Sequence, residues 1–206
     1  MQNPSFIYRN LFIYRMIMNL LYSGSYKQRF KRMEILIDQY RPSTVLELCF
    51  GDTHIAEYCE NNGIQWEGVD INNSFVRSAV RKGYKVWQGD LICVNHLPKA
   101  DVCVMSGSLY HFHKHIHHIL ELIFSSARYF FISEPVKNIS GKKGIIGTIA
   151  HVLSNAGKGK ESFRYDEASL KQMLEQESKI VGFKYEVAGH FKKDILIVIQ
   201  KNETPD

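Results

Sequence analysis

The sequence is poor in cysteine, and its cysteines are badly spaced for metal or disulfide chemistry. The 206 residues include four, namely Cys49, Cys59, Cys93 and Cys103. No two of them form the C-x-x-C pair that is typical of zinc sites and redox motifs. Disulfide frameworks are typical of short secreted chains, so we interpret these residues as free thiols and expect a cytoplasmic location.

The sequence also has no uninterrupted apolar run of the ~20 residues that cross a bilayer. The segment 6–22 is rich in large apolar side chains but contains Arg9 and Arg15. It lacks the preceding positive charge and the following cleavage site of a signal peptide. We predict an N-terminal helix packed on the domain. The alternative is a helix that lies on a membrane surface, because basic and aromatic residues interleave here.

A strong excess of either charge is absent as well. Lys and Arg total 26 against 21 Asp and Glu, a net charge of +5, without a long basic run. So small a charge serves solubility when it is spread evenly, and we do not expect nucleic acid as a partner. With 45% apolar and 23% charged residues, the chain has the composition of a globular protein with a full core.

From residue 44 onward, short apolar runs alternate with helical patterns, which is typical of a parallel sheet covered by helices. The predicted strands are 44–48, 65–71, 84–88, 100–106, 129–133, 183–188 and 195–200. The predicted helices are 26–39, 53–61, 72–82, 113–127 and one capped by Asp166.

This pattern predicts an α/β fold, a Rossmann-like seven-stranded, mostly parallel sheet with helices on both faces. Residues 189–194 have a length suited to an antiparallel hairpin between the last two strands. We expect the domain to span 44–201, with a helical extension or lid at 1–43 and a tail at 202–206. A Gly- and Lys-rich stretch at about 135–163 is interpreted as an insertion that shapes a ligand site.

The turn after the first predicted strand is the first candidate for a binding site. In doubly wound sheets, ligands bind outside the carboxyl ends of the strands, near the point where the strand order reverses. Here the turn is 49–53, with Glu47 before it and Gly51 allowing backbone to approach a ligand. Asp70 ends the second predicted strand, where a carboxylate can accept from both ribose hydroxyls of an adenosine.

Two further candidate binding segments follow in chain order. They are 89–91, after the third predicted strand, and the fourth strand with its loop. With them the chain resembles the class I S-adenosylmethionine (SAM)-dependent methyltransferases of small-molecule type, over about 44–133. In that family's first motif alternating glycines follow the acidic residue, whereas here Cys49 and Thr53 replace two of them. The resemblance implies SAM as cofactor and S-adenosylhomocysteine (SAH) as product. The implied cofactor-binding residues are Glu47, Cys49, Gly51, Asp70, Ile71, Asp90, Leu91 and Ser106.

Three of these residues also have an ordinary structural interpretation. Gly51 would turn a tight strand–helix corner. Asp70 would cap the following helix, and Asp90 would sit in an Asp-containing turn. We prefer one common site, because the alternatives require separate coincidences at one edge of the sheet. An NAD-dependent oxidoreductase shares the acid after the second strand, but its glycine turn seats a pyrophosphate. The negative charges of Glu47 and Asp52 would repel that group.

The family's substrate-facing loop corresponds to 106–112 and lacks the Asn/Asp-Pro-Pro-aromatic motif of nucleic-acid amino-methyltransferases. His111 is the candidate general base, because imidazole titrates near neutrality, and Tyr110 is expected to orient the acceptor. A histidine run invites a metal hypothesis; it consists of His111, His113, His115, His117 and His118. In helical phase these side chains fall on two flanks of an apolar stripe, so we predict no metal. A zinc triad of His111, His115 and His118 is the alternative.

We therefore expect a SAM-dependent methyltransferase with a small-molecule O or N acceptor. The alternative is a SAM-binding protein without catalysis, because the glycine motif is incomplete. The lid and acceptor pocket are expected to come from the stretch 137–160 and from N-terminal aromatic residues. These aromatic residues are Tyr8, Tyr14, Tyr22 and Tyr26. Apolar residues on an added helix serve equally well in a dimer contact, and the oligomeric state is left open.

Overall fold

Strands and helices alternate along the chain in the computed structural model, which describes residues 11–136 and 163–203. The strands are β1 (Thr44–Leu48), β2 (Gln65–Asp70), β3 (Lys85–Gln88), β4 (Ala100–Ser106), β5 (Ala127–Pro135), β6 (Phe183–Phe191) and β7 (Asp194–Lys201). The helices are α1 (Leu11–Leu21), α2 (Tyr26–Tyr40), α3 (His54–Asn61), α4 (Asn73–Arg81), α5 (Ile116–Ser126) and α6 (Glu167–Glu177). A 3-10 turn spans Leu109–Phe112, and a π-helical turn spans Ser178–Gly182.

The seven strands form one sheet in the order β3-β2-β1-β4-β5-β7-β6. Strands β1 to β5 pair in parallel, and β7 runs antiparallel to both of its neighbours. This confirms the predicted fold. The strand order reverses between β1 and β4, so the loops that follow these two strands flank the position where such sheets bind ligands.

The core occupies both faces of the sheet, as expected for parallel strands. Leu46 and Leu48 of β1 point to the face covered by α5 and α6. Val45 lies on the opposite face, which packs against the apolar sides of α2 and α3. Because side chains alternate along a strand, Glu47 shares that second face and is buried. Water does not solvate this buried carboxyl, so other polar interactions must offset the cost of burying it at the end of β1.

The helix predicted at 113–127 is shorter than expected. It begins at Ile116, and the preceding 3-10 turn Leu109–Phe112 is a separate element. At its other end Ala127 belongs to β5, where it pairs with Ala100 of β4. Pairing within the sheet therefore overrides the helical pattern at this end.

The connection between the last two strands was predicted too long. β6 continues to Phe191, and only Lys192 and Lys193 join it to β7. Lys192 has a φ of +53°, the left-handed conformation that two-residue hairpin turns require. The predicted loop at 189–194 is wrong because polar and glycine-containing residues also pair in an edge strand.

Helix α1 packs on the domain through its aromatic side. The Tyr14 ring lies 5.1 Å from the Phe75 ring and 6.4 Å from the Tyr26 ring, between centroids. On its other side Met16 and Leu20 are exposed. Within residues 11–136 and 163–203, none of the helices has the length and apolarity to cross a bilayer. Most of the predicted insertion, and Tyr8, lie outside the described residues.

Candidate active site

The turn after β1 adopts the backbone that a glycine motif would adopt. Both Cys49 and Gly51 have a φ of +56°. This left-handed conformation costs a residue with a Cβ about 1–2 kcal/mol. Cys49 thus takes the conformation of the glycine that it replaces, with strain that glycine would avoid.

A pair of substitutions tests this strain. We expect Cys49→Gly to be more stable than Cys49→Ala by about 1 kcal/mol, because glycine avoids the left-handed penalty and loses only part of it to unfolded-state entropy. Cys59 lies inside α3 and is the matched control. There the order should reverse, since glycine destabilises helix interiors by about 1 kcal/mol relative to alanine. Urea unfolding of the four variants measures these differences in stability. The same order of stability at both positions would contradict the prediction.

Asp70 joins the carboxyl end of β2 to this turn. Its carboxylate accepts from the Gly51 N–H at 2.9 Å and from the Asn72 N–H at 2.7 Å. Asn72 itself caps α4 by accepting from the Ser74 N–H, so Asp70 is not the helix cap. Burial raises the pKa of Asp70 to about 6. Each carboxylate oxygen keeps a further lone pair for a ligand.

Buried oxygens without partners lie at the ends of β1 and β4. Glu47 Oε2 accepts from Trp66 Nε1 at 3.1 Å, whereas Glu47 Oε1 has no partner within the described part of the chain. Burial raises the pKa of this carboxyl well above its usual range. The buried Ser106 Oγ also has no partner among the described residues. Such atoms in a folded protein call for a ligand or water.

Three of the predicted acidic residues lie near the Cys49 thiol. Its pKa is raised by burial first, and then by the carboxylates of Asp70, Asp90 and Glu47, while a hydrogen bond with Ser108 lowers it. Glu47 and Asp70 lie at the carboxyl ends of β1 and β2, whereas Asp90 and Ser108 lie in the loops after β3 and β4. The structure thus places Glu47, Asp70 and Asp90 near Cys49, in the turn after β1.

The candidate binding segment 89–91, after β3, forms a compact turn. Asp90 Oδ1 accepts from the Ile92 N–H at 3.2 Å, so Asp90 does sit in an Asp-containing turn. The Ile71 carbonyl accepts from Gln88 Nε2 at 3.1 Å. The Leu91 side chain is buried in the core beneath α5. Any contribution of Leu91 to binding would therefore come from its backbone.

Helix α1 lies across the turn after β1. Tyr14 Oη is 3.3 Å from the position that a Cβ on Gly51 would occupy. The next residue, Arg15, pairs with Asp52 through contacts of 2.6 and 2.8 Å. Burial favours the neutral form of Asp52, but hydrogen bonds from His54 and Arg15 hold its pKa below the usual range. Its charge is thus balanced, which removes the Asp52 part of the electrostatic argument against phosphate.

A cleft of about 560 Å³ is lined by residues of α1, α2 and α3. Its lining includes Arg15, Tyr26 and Lys82 and none of the predicted cofactor residues.

The loop after β4 carries the predicted catalytic pair. The Tyr110 and His111 rings lie 4.0 Å apart between centroids, and Tyr110 is buried. The Arg164 guanidinium stands over the Tyr110 ring at 3.5 Å. Glu134 anchors this loop by accepting from the Leu109 and Tyr110 N–H groups at 3.1 and 3.2 Å.

The histidine run does not form a single helical face. Since α5 begins at Ile116, the helical phase assumed for His111, His113 and His115 does not apply. His117 Nδ1 instead contacts Glu177 Oε2 at 2.9 Å. Across the described residues, no group of three His, Cys, Asp or Glu side chains is placed to hold a metal ion.

Sequence reasoning missed a buried polar group at the carboxyl end of β5. Arg29 Nε lies 2.5 Å from Asp194 Oδ2, as an ion pair rather than a well-directed hydrogen bond. Its terminal nitrogen donates to the Ser133 carbonyl at 3.0 Å. A Cβ on Gly107, whose φ is +70°, would overlap the guanidinium. The available signal was the position of Arg29 within the apolar stripe of α2.

Glu134 makes stability depend on pH. Burial raises its pKa to about 8, even though two backbone N–H groups and Arg29 act in the opposite direction. Its folded pKa exceeds the unfolded value of about 4.3, so the favourable contribution is complete below that value and is lost as the pH rises towards 8. We expect Glu134→Gln to remove this part of the fall in stability with rising pH. Urea unfolding of both proteins from about pH 5 to about pH 9 measures it, and parallel profiles would contradict it.

No protein-family model matches the chain, and no curated protein matches it by sequence. Its fold is similar to that of human N-acetylserotonin methyltransferase in complex with SAM, at 16% identity and a TM-score of 0.67, over 96% of this chain and 58% of that one. It is also similar to that of magnesium protoporphyrin IX methyltransferase from Synechocystis PCC 6803 with bound SAH. Here the identity is 15% and the TM-score 0.65, over 92% of this chain and 93% of that one. A third similar structure is the plantazolicin methyltransferase BpumL in complex with a monoazolic desmethylPZN analog and SAH. Its identity is 13% and its TM-score 0.67, over 92% of this chain and 90% of that one. The chain thus spans little more than half of the human enzyme. Its fold is that of the class I SAM-dependent methyltransferases.

Proposed function

We propose that the protein transfers a methyl group from SAM to an oxygen or nitrogen atom of a small molecule. The observation that carries this proposal is the Asp70 carboxylate, which two backbone N–H groups hold beside Gly51. The sheet also favours it over an NAD-dependent oxidoreductase. Dinucleotide-binding sheets have the order 3-2-1-4-5-6, whereas here an antiparallel β7 lies between β5 and β6.

The residues at this edge suit the parts of SAM. Asp70 would accept from the ribose hydroxyls, and Asp90 with the backbone at Ile71 and Leu91 would border the adenine. Glu47 Oε1 and Ser106 Oγ, which lack partners among the described residues, would pair with the amino-acid part of SAM, beside the backbone of Cys49 and Gly51. When bound, SAM supplies a methyl group that is already activated by its sulfonium.

The remaining chemistry is positioning and proton transfer. Tyr110 would orient the acceptor, and His111 would take the proton that the acceptor loses as its new bond to carbon forms. Glu134 keeps this loop in place through two backbone N–H groups. The four free cysteines fit the cytoplasmic location that we propose with this function.

A SAM-binding protein without turnover is the second candidate. It is favoured by the Tyr14 hydroxyl, which lies over Gly51, and by the side chain that Cys49 adds where the family has glycine. The Tyr14 hydroxyl narrows the space above the turn, and the Cys49 side chain packs against the core beside it. Neither removes the carboxylate of Asp70.

Turnover separates the two candidates. SAM and SAH binding is measured by calorimetry, and SAH release is measured with panels of phenols, amines and carboxylates. For an enzyme we expect His111→Ala to lower kcat about 10²- to 10⁴-fold without weakening SAM binding. His115→Ala removes an exposed histidine of the same segment and should leave turnover unchanged. Absence of SAM binding at millimolar concentration would overturn the proposal, and binding without SAH release from the panel would favour the second candidate.

A further inference from the structure

A second set of charged residues lies on the other side of the switch point from Asp70. It consists of Glu134 at the carboxyl end of β5, Lys193 and Asp194 at the turn between β6 and β7, and Arg164 before α6. The Val136 N–H donates to the Lys193 carbonyl at 2.9 Å, which places the hairpin turn beside the end of β5. Arg164 stands over Tyr110, in the loop that carries the proposed base.

The cations of this set outnumber its charged carboxylates. Asp194 is matched by Arg29, which lies 2.5 Å away. Glu134 has both oxygens on backbone N–H groups, and burial raises its pKa to about 8, so it is mostly neutral at neutral pH. Arg164 and Lys193 have no carboxylate within ion-pair distance among residues 11–136 and 163–203.

These two cations are also partly withdrawn from water. Lys193 Nζ lies 4.5 Å from the centroid of the buried Tyr22 ring, and the Arg164 guanidinium covers the buried Tyr110 ring. Burial lowers the pKa of Lys193; Asp194 opposes this change, and Arg29 adds to it. The charge of Arg164 also lowers the pKa of Lys193, so the two cations act on each other, and an anion beside both would be stabilised.

We propose that Arg164 and Lys193 bind an anionic group of the methyl acceptor, a carboxylate or a phosphate. This inference rests on the proposed function, because it places the acceptor between these cations and His111. An arginine fork and a lysine ammonium together suit an oxyanion.

Matched probes test this specificity. The full chain loaded with SAH is titrated with 4-hydroxybenzoate, 4-hydroxyphenyl phosphate and the neutral 4-hydroxybenzamide, and binding is followed by calorimetry and thermal shift. We expect at least one anion to bind at least about tenfold more tightly than the amide, as for a charge-assisted hydrogen bond. The preference of carboxylate over phosphate, or the reverse, identifies the group.

Variants locate the effect. Arg164→Gln and Lys193→Gln should each weaken binding of the preferred anion about tenfold or more and leave SAH affinity unchanged. Lys184→Gln removes the same charge from an exposed position of β6 and should change neither. Equal binding of the anions and the amide, no binding of any probe, or an anion preference that survives both variants would overturn this inference. If SAH itself does not bind, it is the proposed function that has failed.

Discussion

We expect Asp70→Asn to bind SAM about 100-fold or more weakly than the unaltered protein. The carboxylate would make two charge-assisted hydrogen bonds to the ribose hydroxyls, and each contributes about 1.5–3 kcal/mol. Asparagine retains the size of the side chain but loses its charge and one acceptor oxygen. Because the pKa of Asp70 is about 6, we also expect the affinity of the unaltered protein to fall as the pH drops below that value. Calorimetry across this range measures both effects.

Asp101 provides a matched control for the loss of stability in this variant. Its carboxylate also accepts from two backbone N–H groups, those of Ser43 and Thr44, both at 2.8 Å. It is the second residue of β4, at the amino end of that strand, and therefore lies at the opposite edge of the sheet from Asp70. Asp101→Asn should lose comparable backbone hydrogen bonds and leave SAM affinity unchanged. Equal loss of affinity in both variants would show that Asp70 acts only through the fold.

We expect Arg29→Met to destabilise the protein by about 3–5 kcal/mol, the cost of removing one partner of a buried ion pair. Arg29 and Asp194 are both almost inaccessible to solvent. Among residues 11–136 and 163–203, the Asp194 carboxylate then accepts only from neutral donors, the hydroxyls of Tyr22 and Ser133, at 2.8 and 3.2 Å. Urea or thermal unfolding, monitored by circular dichroism, measures the change.

Two further variants show whether the uncompensated charge causes this loss. Arg32→Met removes an exposed arginine of the same helix and should change stability little. Adding Asp194→Asn to Arg29→Met should recover part of the loss, because no unpaired charge then remains buried. If Arg29→Met were no worse than Arg32→Met, the pair would have no structural role.

The strands and most helices could be predicted from the sequence because their signals are local. The runs 44–48 and 100–106 were predicted with the bounds that the structure has for β1 and β4. Asp166 was predicted as a helix cap and accepts from the Ser169 N–H at the start of α6. Predictions were wrong where pairing with a distant strand decides the backbone, as at Ala127 and between the last two strands.

The sequence by itself determined the order of the strands along the chain and the places where acidic residues follow them. Parallel strands align their carboxyl ends, so Glu47, Asp70 and Asp90 had to meet at one edge of the sheet. Only the tertiary structure decided which groups face them. Arg29 and Asp194 are far apart in sequence and form a buried pair because α2 packs over the end of β5. Burial and neighbouring charges determine protonation, and neither is encoded within a local window of sequence.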